Sequence, residues 1–277
     1  MFDWAIYLYL ITHMNYTADD FHFHYVATYS LLIQSDFQHD HLVVMDEDKQ
    51  VLIYMTYDNL NPSAEAIKIL SLPFKRVCVN LPHQDLIWVP SEVYHETEKG
   101  LYVDYFAESD INRILSKDIE VLGVTALFQY DQLLYSRWKK IFAEADFVPY
   151  FEVVINQAQS YVPIQGEVLG VHLYDDQADI FLFVNGEMRL YNTFEIATPD
   201  DLSYFVLNVF KNFSIKDKVS KILLSGTSRD SEWFERLNRY AEWVDMIQPK
   251  EKWITNNSEV SQRLEELNVL ADSVSCV

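Results

Sequence analysis

Glycine is scarce in this chain. Its 277 residues hold six, Gly100, Gly123, Gly166, Gly170, Gly186 and Gly226, where ordinary usage near 7% would give about 19. Loops that cradle phosphate need glycine, because a Cβ keeps backbone N–H groups away from the anion. Cysteine is nearly absent. Cys78 and Cys276 make neither a disulfide framework nor a metal-binding spacing, which predicts reduced thiols in a cytoplasmic protein. No run approaches 18 apolar residues, so no transmembrane helix is expected. The opening MFDWAIYLYL carries Asp3 and no basic flank, unlike a signal peptide. It reads as a strand, a helix or an artefact of start-site choice ahead of Met14. Basic residues are few, 21 against 42 acidic, for a net charge of −21. Such a surface repels phosphate backbones and excludes nucleic acid as a partner, while favouring a basic protein. The acids are spread without a long like-charged tail, so a plain solvated surface explains them equally. The motifs G-x-S-x-G, H-E-x-x-H, Walker A and C-x-x-C are all missing, which removes the hydrolase, metalloprotease, P-loop and redox classes they mark.

What is present is a pattern that occurs twice. Hydrophobic residues make up 49% of the chain, enough for a sizeable core and against a disordered chain. In the second copy, Val168–Leu173 reads as a strand, Asp175-Asp176-Gln177 as a polar turn and Ala178–Val184 as a second strand. Asn185-Gly186 is a hairpin turn, and Met188–Phe194 is a third strand. Thr198-Pro199-Asp200-Asp201 then supplies an N-cap, an early proline and a capping-box acid before the helix LSYFVLNVF. The first copy follows the same order: strands Leu31–Gln34, His41–Met45 and Val51–Tyr57, then Asn61-Pro62-Ser63-Ala64-Glu65 ahead of AIKIL. Ile33 and Val171 are 138 residues apart, Asn61 and Thr198 137. A three-strand meander with a capped helix, recurring half a chain later, points to internal duplication.

Further elements follow each meander. In the first half Lys75–Asn80, Asp85–Val89, Leu101–Phe106, Val121–Phe128 and Phe151–Ile155 read as strands, and Gln132–Glu144 as an amphipathic helix. In the second half Lys221–Ser225 reads as a buried strand, Ser231–Trp243 as a helix, Val244–Ile247 as a strand and Glu259–Leu270 as a terminal helix. The expected fold is α/β: two mixed-sheet halves with flanking helices and a cleft between. Residues 1–163 form the first half, with a strand-rich insertion around 75–118, and residues 164–277 the second.

This arrangement resembles the actin-like ATPase (ribonuclease H-like) fold. The run VTALFQYDQLLYSRWKKIFAEADFVPYFEVVINQAQSYV at 124–162 looks like the strand, helix and strand that end the first half of the PilM family, which includes FtsA-like proteins. KILLSGTSRDSEWFERL looks like the strand, turn and helix near the adenosine site of those proteins. LYNTFEIATPDDLSYFVLNVF with LIWVPSEVY resembles an uncharacterised bacterial family of this fold. The likeness covers about residues 30–250.

The resemblance implies a nucleotide site with an aspartate followed by glycine in each meander's first hairpin, whose acid holds Mg²⁺ through water. Here those turns read Gln34-Ser35-Asp36-Phe37-Gln38 and Leu173-Tyr174-Asp175-Asp176-Gln177, without glycine. Phe37 and Tyr174 stand where the backbone would approach phosphate. If ATP and Mg²⁺ bind at all, the candidates are Asp36, Asp175, Asp176, Ser225, Gly226 and Thr227. Each is also explained as an ordinary turn residue. The reading is a scaffold or protein-interaction module with degenerate phosphate loops and no cofactor; the alternative is a divergent ATP-binding protein or weak ATPase. A third option is a metal site at His22-x-His24 or His39-x-His41 with Asp36 or Asp40. Polar residues on the wet face of a strand explain those histidines as well.

Overall fold

A computed structural model describes residues 15–276, so the segment 1–10 lies outside the described residues. The chain divides into two compact units. The first holds the residues up to Val153, Glu251–Ser261 and the residues from Asp272 on. The second holds Val154–Lys250 and Gln262–Ala271.

In the first unit the strands are β1 (Asn15–Thr17), β2 (Ser30–Ser35), β3 (His39–Met45), β4 (Val51–Asp58), β5 (Arg76–Leu81), β6 (His83–Pro90), β7 (Leu115–Ile119), β8 (Val124–Tyr130) and β9 (Asp146–Pro149). Six form one sheet in the order β1-β4-β3-β2-β5-β9. The meander β2–β3–β4 is antiparallel, whereas β5 runs parallel to β2 and β9 parallel to β5. Helix α1 (Ala64–Leu70) follows the meander; its N-cap is Ser63, whose Oγ accepts from Ala66 N–H at 3.1 Å, two residues after the predicted cap. Strands β6, β8 and β7 make a separate antiparallel sheet with β8 in the middle. Helix α2 (Gln132–Ile141) starts at Asp131, whose carboxylate accepts from the N–H groups of Leu133 and Leu134.

The second unit carries β10 (Glu167–Tyr174), β11 (Gln177–Val184), β12 (Glu187–Glu195), β13 (Val219–Ser225) and β14 (Ala241–Met246) in the order β12-β11-β10-β13-β14. Its meander is antiparallel, and β13 and β14 are parallel additions beside β10. This repeats the topology of β4-β3-β2-β5-β9, so the duplication read in the sequence is present in the fold. Asn185 (φ +52°) and Gly186 (φ +83°) are both left-handed at the β11–β12 turn, as a two-residue hairpin of matching twist requires. The capping box at Thr198 and Asp201 opens helix α4 (Pro199–Asn212). This helix and α5 (Glu232–Leu237) cover one sheet face, where Leu169, Val171, Ile180, Leu182, Ile222 and Leu224 pack with Val206 and Phe210.

Four predicted elements differ. Leu101–Phe106 lies at the end of a 3-10 helix, Glu96–Tyr105. Tyr102 and Val103 pack on the small core of Val89, Phe106, Ile114 and Leu127, while Leu101 and Tyr105 face solvent. Phe151–Ile155 belongs to helix α3 (Tyr150–Ala158). It is buried throughout, Glu152 included, and a short buried run of this kind carries no period that separates strand from helix. The predicted helix Ser231–Trp243 stops at Leu237, because Tyr240 turns the chain into β14 and its carbonyl accepts from Val219 N–H at 3.0 Å. Near the C-terminus, α6 (Ser258–Glu266) and α7 (Asn268–Asp272) replace one predicted helix. Among the described residues no helix is long and apolar enough to cross a membrane.

Candidate functional site

The first hairpin tip, between β2 and β3, is built from side chains of its own unit. Asp36 is buried and its Oδ1 accepts from the backbone N–H groups of Gln38 (2.9 Å) and His39 (2.6 Å). This is an aspartate turn that holds the tip shut on itself. Burial pushes the Asp36 carboxyl upward, and the two amides work against that shift. Arg137 reaches in from α2. Its Nη2 donates to Ser35 Oγ (2.7 Å) and to Asp40 Oδ1 (2.6 Å), and its Nη1 donates to the Asn59 carbonyl (3.3 Å). Ser35 Oγ also donates to Asp40 Oδ1 at 2.6 Å. Burial raises the Asp40 carboxyl, opposed by the Arg137 charge and the Ser35 hydroxyl. Burial, then the Asp40 charge, holds the nearby Tyr57 hydroxyl in its protonated form. Phe37 is 38% exposed. The tip is therefore filled by a guanidinium and by its own amides, and the Phe37 ring contributes little.

The second tip is shorter. Tyr174 pairs directly with Gln177, leaving only Asp175 and Asp176 in the turn, with Asp175 at φ +50°. Asp176 is exposed and its carbonyl accepts from Ile196 N–H at 2.8 Å. Tyr174 is turned inward, and its hydroxyl donates to Asp179 Oδ1 at 3.0 Å. At the end of β13, Ser225 is buried and Gly226 is left-handed at φ +78°. A Cβ on Gly226 would stand 1.8 Å from the Leu173 carbonyl oxygen. This glycine thus serves backbone-to-backbone packing beneath β10. Asp175, Asp176, Ser225, Gly226 and Thr227 all lie at the β10–β11 and β13 ends of the second unit's sheet, and Asp36 lies at the matching tip of the first.

A polar row went unread in the sequence. In the second unit Thr193, Asp179, His172 and Ser225 stand side by side on four adjacent strands, β12, β11, β10 and β13. His172 Nδ1 lies 2.9 Å from Ser225 Oγ. Asp179, fully buried, accepts from Tyr174, from Tyr191 (2.7 Å) and from Thr193 (2.6 Å). Burial pushes the His172 imidazole down to about 4, with Asp179 acting against it. In the first unit the same four places hold Thr56, His41, Gln34 and Asn80. Asn80 Nδ2 donates to the Ile33 carbonyl at 3.1 Å, and the Tyr54 hydroxyl lies 3.5 Å from His41 Nδ1. The signal was in the letters: Tyr54-Met55-Thr56-Tyr57-Asp58 and Tyr191-Asn192-Thr193-Phe194-Glu195 share tyrosine, threonine, an aromatic and an acid. The row's Ser, His and Asp are buried together, so they serve as a hydrogen-bonded seam within the sheet.

His39 and His41 share one face of β3, as expected of an extended segment, whereas the His22 and His24 pair does not form. His22 caps a 3-10 helix that contains His24, so these two are not on an extended segment. Among the described residues no group of three or more His, Cys, Asp or Glu is placed to hold a metal ion.

The comparisons bear on the fold. Residues 18–244 match the DUF3822 family, described as a protein of unknown function. No curated protein matches. A solved protein of Bacteroides thetaiotaomicron, described as having an actin-like ATPase fold and unknown function, is 20% identical over 82% of this chain and 93% of that one, with a TM-score of 0.64. A chain of the PilM–PilN type IV pilus biogenesis complex is 12% identical over 89% of this chain and 97% of that one, with a TM-score of 0.55. Together with the repeated sheet topology, these matches place the chain in the DUF3822 family, with an actin-like ATPase fold.

Proposed function

We propose that this chain works as a protein-interaction scaffold and does not hydrolyse nucleotide. The supporting observation is the chemistry of the two hairpin tips. Asp36 is buried with its Oδ1 held by its own turn amides, and Arg137 occupies the surroundings of Ser35 and Asp40. The two-residue turn at Asp175-Asp176 offers no run of backbone N–H groups beside Tyr174. These residues do not fit ATP–Mg²⁺, which needs an available carboxylate and glycine-lined amides. One structural relative belongs to a complex of two proteins, PilM and PilN, which supports a protein partner here. The net charge of −21 favours a basic one. The two-cysteine composition supports a cytoplasmic setting.

One observation favours the second reading, a divergent ATP-binding protein: the Ser225-Gly226-Thr227 turn keeps a left-handed glycine at a strand end. Thermal unfolding with and without ATP–Mg²⁺ decides between them. Ligand at 100 times Kd adds about 2.7 kcal/mol of stability, several degrees for a domain of this size. No shift at millimolar nucleotide is expected. A shift that Asp175→Ala abolishes would reverse the ranking.

A further inference from the structure

The two units differ at one sheet edge. In the first, β4 does not end the sheet: β1 lies antiparallel along its outer side, pairing Asn15 with Met55, Tyr16 with Tyr54 and Thr17 with Ile53. Strand β12 holds the same place in the second unit, and Tyr191 corresponds to Tyr54. The positions matching Ile53–Met55 are therefore Leu190, Tyr191 and Asn192. Among the described residues no strand pairs with the outer side of β12. It is nine residues long without proline, so it presents backbone donors and acceptors along a usable length.

An apolar shelf runs beside this edge. Phe194 of β12 stacks on Phe205 of α4 with ring centroids 4.3 Å apart, and Tyr204 packs edge-on against Phe205 at 5.3 Å. Tyr204 is 62% exposed and Leu207, one turn on, 51%. Glu195 is exposed at the C-terminal end of β12, while Glu187 at the other end pairs with Arg189 at 2.6 Å and Asp200 at the start of α4 pairs with Arg236.

We propose that the outer edge of β12 is a strand-addition site for an extended basic segment of a partner protein, which pairs antiparallel at Leu190–Asn192 and sets alternate apolar side chains on Tyr204 and Leu207. Strand addition draws affinity from main-chain hydrogen bonds and specificity from the side chains on one face. The first unit supplies the precedent for a strand in this register. Glu195 and the net charge of −21 select a basic segment, and a second copy of so acidic a chain would be repelled. This proposal rests on the scaffold reading and gives it a surface.

The test is amide hydrogen exchange on the full chain with three synthetic peptides nine residues long, the length of β12. One alternates lysine with valine, one replaces every lysine by glutamate, and one is the lysine peptide N-methylated at every second residue. At ten times Kd the lysine peptide should slow exchange within 187–195 about tenfold, and the other two should not. Leu207→Lys, an exposed change, should weaken that protection while leaving the unfolding midpoint in place. Absence of protection, protection centred on 241–246, equal protection by the glutamate peptide, or protection from self-association without peptide would each overturn the proposal. Thermal unfolding with ATP–Mg²⁺ on the same sample separates the two failures. A nucleotide shift counts against the scaffold reading, whereas missing protection without that shift sinks only the strand-addition site.

Discussion

Tyr191 donates its hydroxyl to Asp179 at 2.7 Å, and its counterpart 137 residues earlier, Tyr54, faces His41 at 3.5 Å. The two tyrosines hold the same place in duplicated meanders, each beside the row of polar side chains that crosses its sheet. In the second unit this arrangement concentrates three hydroxyl donors on one buried carboxylate.

Asp179 is therefore a point of high structural sensitivity. Replacing it with alanine takes the shared acceptor from Tyr174, Tyr191 and Thr193. A buried donor that loses its acceptor costs about 1–3 kcal/mol, so Asp179→Ala should destabilise by at least 3 kcal/mol. Tyr191→Phe should cost about 1 kcal/mol. Urea unfolding midpoints read both; a loss under about 1 kcal/mol for Asp179→Ala would mean the hydroxyls have adequate acceptors elsewhere.

His172 gives the fold a dependence on pH. Its folded value is about 4, below the ordinary 6.5, so between those values the unfolded chain binds the extra proton. Stability from this group is complete above about pH 6.5 and falls as pH drops toward 4, by about 3 kcal/mol in all. Asp36 and Asp40, whose carboxyls are raised by burial, act in the opposite sense over the acidic range. The measurement is thus a difference: stability of the wild type minus that of His172→Gln, followed from pH 7.5 to 4.5. It should decline steadily, and a flat difference would remove the histidine from the account.

Gly226 and Gly123 are both left-handed, at φ +78° and +63°, yet they should respond differently to alanine. Around Gly123 an added Cβ meets nothing within 4 Å, whereas at Gly226 it meets the Leu173 carbonyl. Gly123→Ala should cost the conformational term alone, about 1 kcal/mol. Gly226→Ala adds a collision with backbone and should lose several kcal/mol or fail to accumulate as folded protein. Equal midpoints for the two variants would contradict this packing.

Removing Arg137 strips the cation from Asp40, which is nearly fully buried. Breaking such a pair costs about 3–5 kcal/mol. Without its partner the Asp40 carboxyl rises further above its unfolded value, so the loss is fullest at high pH and shrinks as pH falls through the new folded value. Arg137→Met should be more destabilised at pH 7.5 than at pH 5, and adding Asp40→Asn should recover part of the loss at pH 7.5. Denaturant titrations at the two pH values check both statements.

Much of the architecture was readable because it is local. The alternation in Val168–Phe194, the Asn185-Gly186 turn and the Thr198–Asp201 capping box each specify their own few residues, and all appear where the letters put them. Helix α3 was illegible because the one charged residue of Phe151–Ile155, Glu152, is buried with the rest and marks no wet face. The polar row and the Arg137 contacts were unreadable for another reason. Which side chains stand next to each other depends on register between distant strands, His172 with Ser225 across 53 residues and Arg137 with Ser35 across 102. Period-two alternation assigns a residue to a face and says nothing of its neighbour on the next strand.

The division of the chain carries a consequence for anyone handling the protein. The stretch after Lys250 belongs to both bodies: Glu251–Ser261 runs beside the β3–β4 turn, where Ile254 bridges Gln50, and Gln262–Ala271 completes the other body, where the Asn268 carbonyl accepts from Gln157. A single proteolytic nick after Lys250 would loosen both at once, so neither half can be excised by trimming at one end.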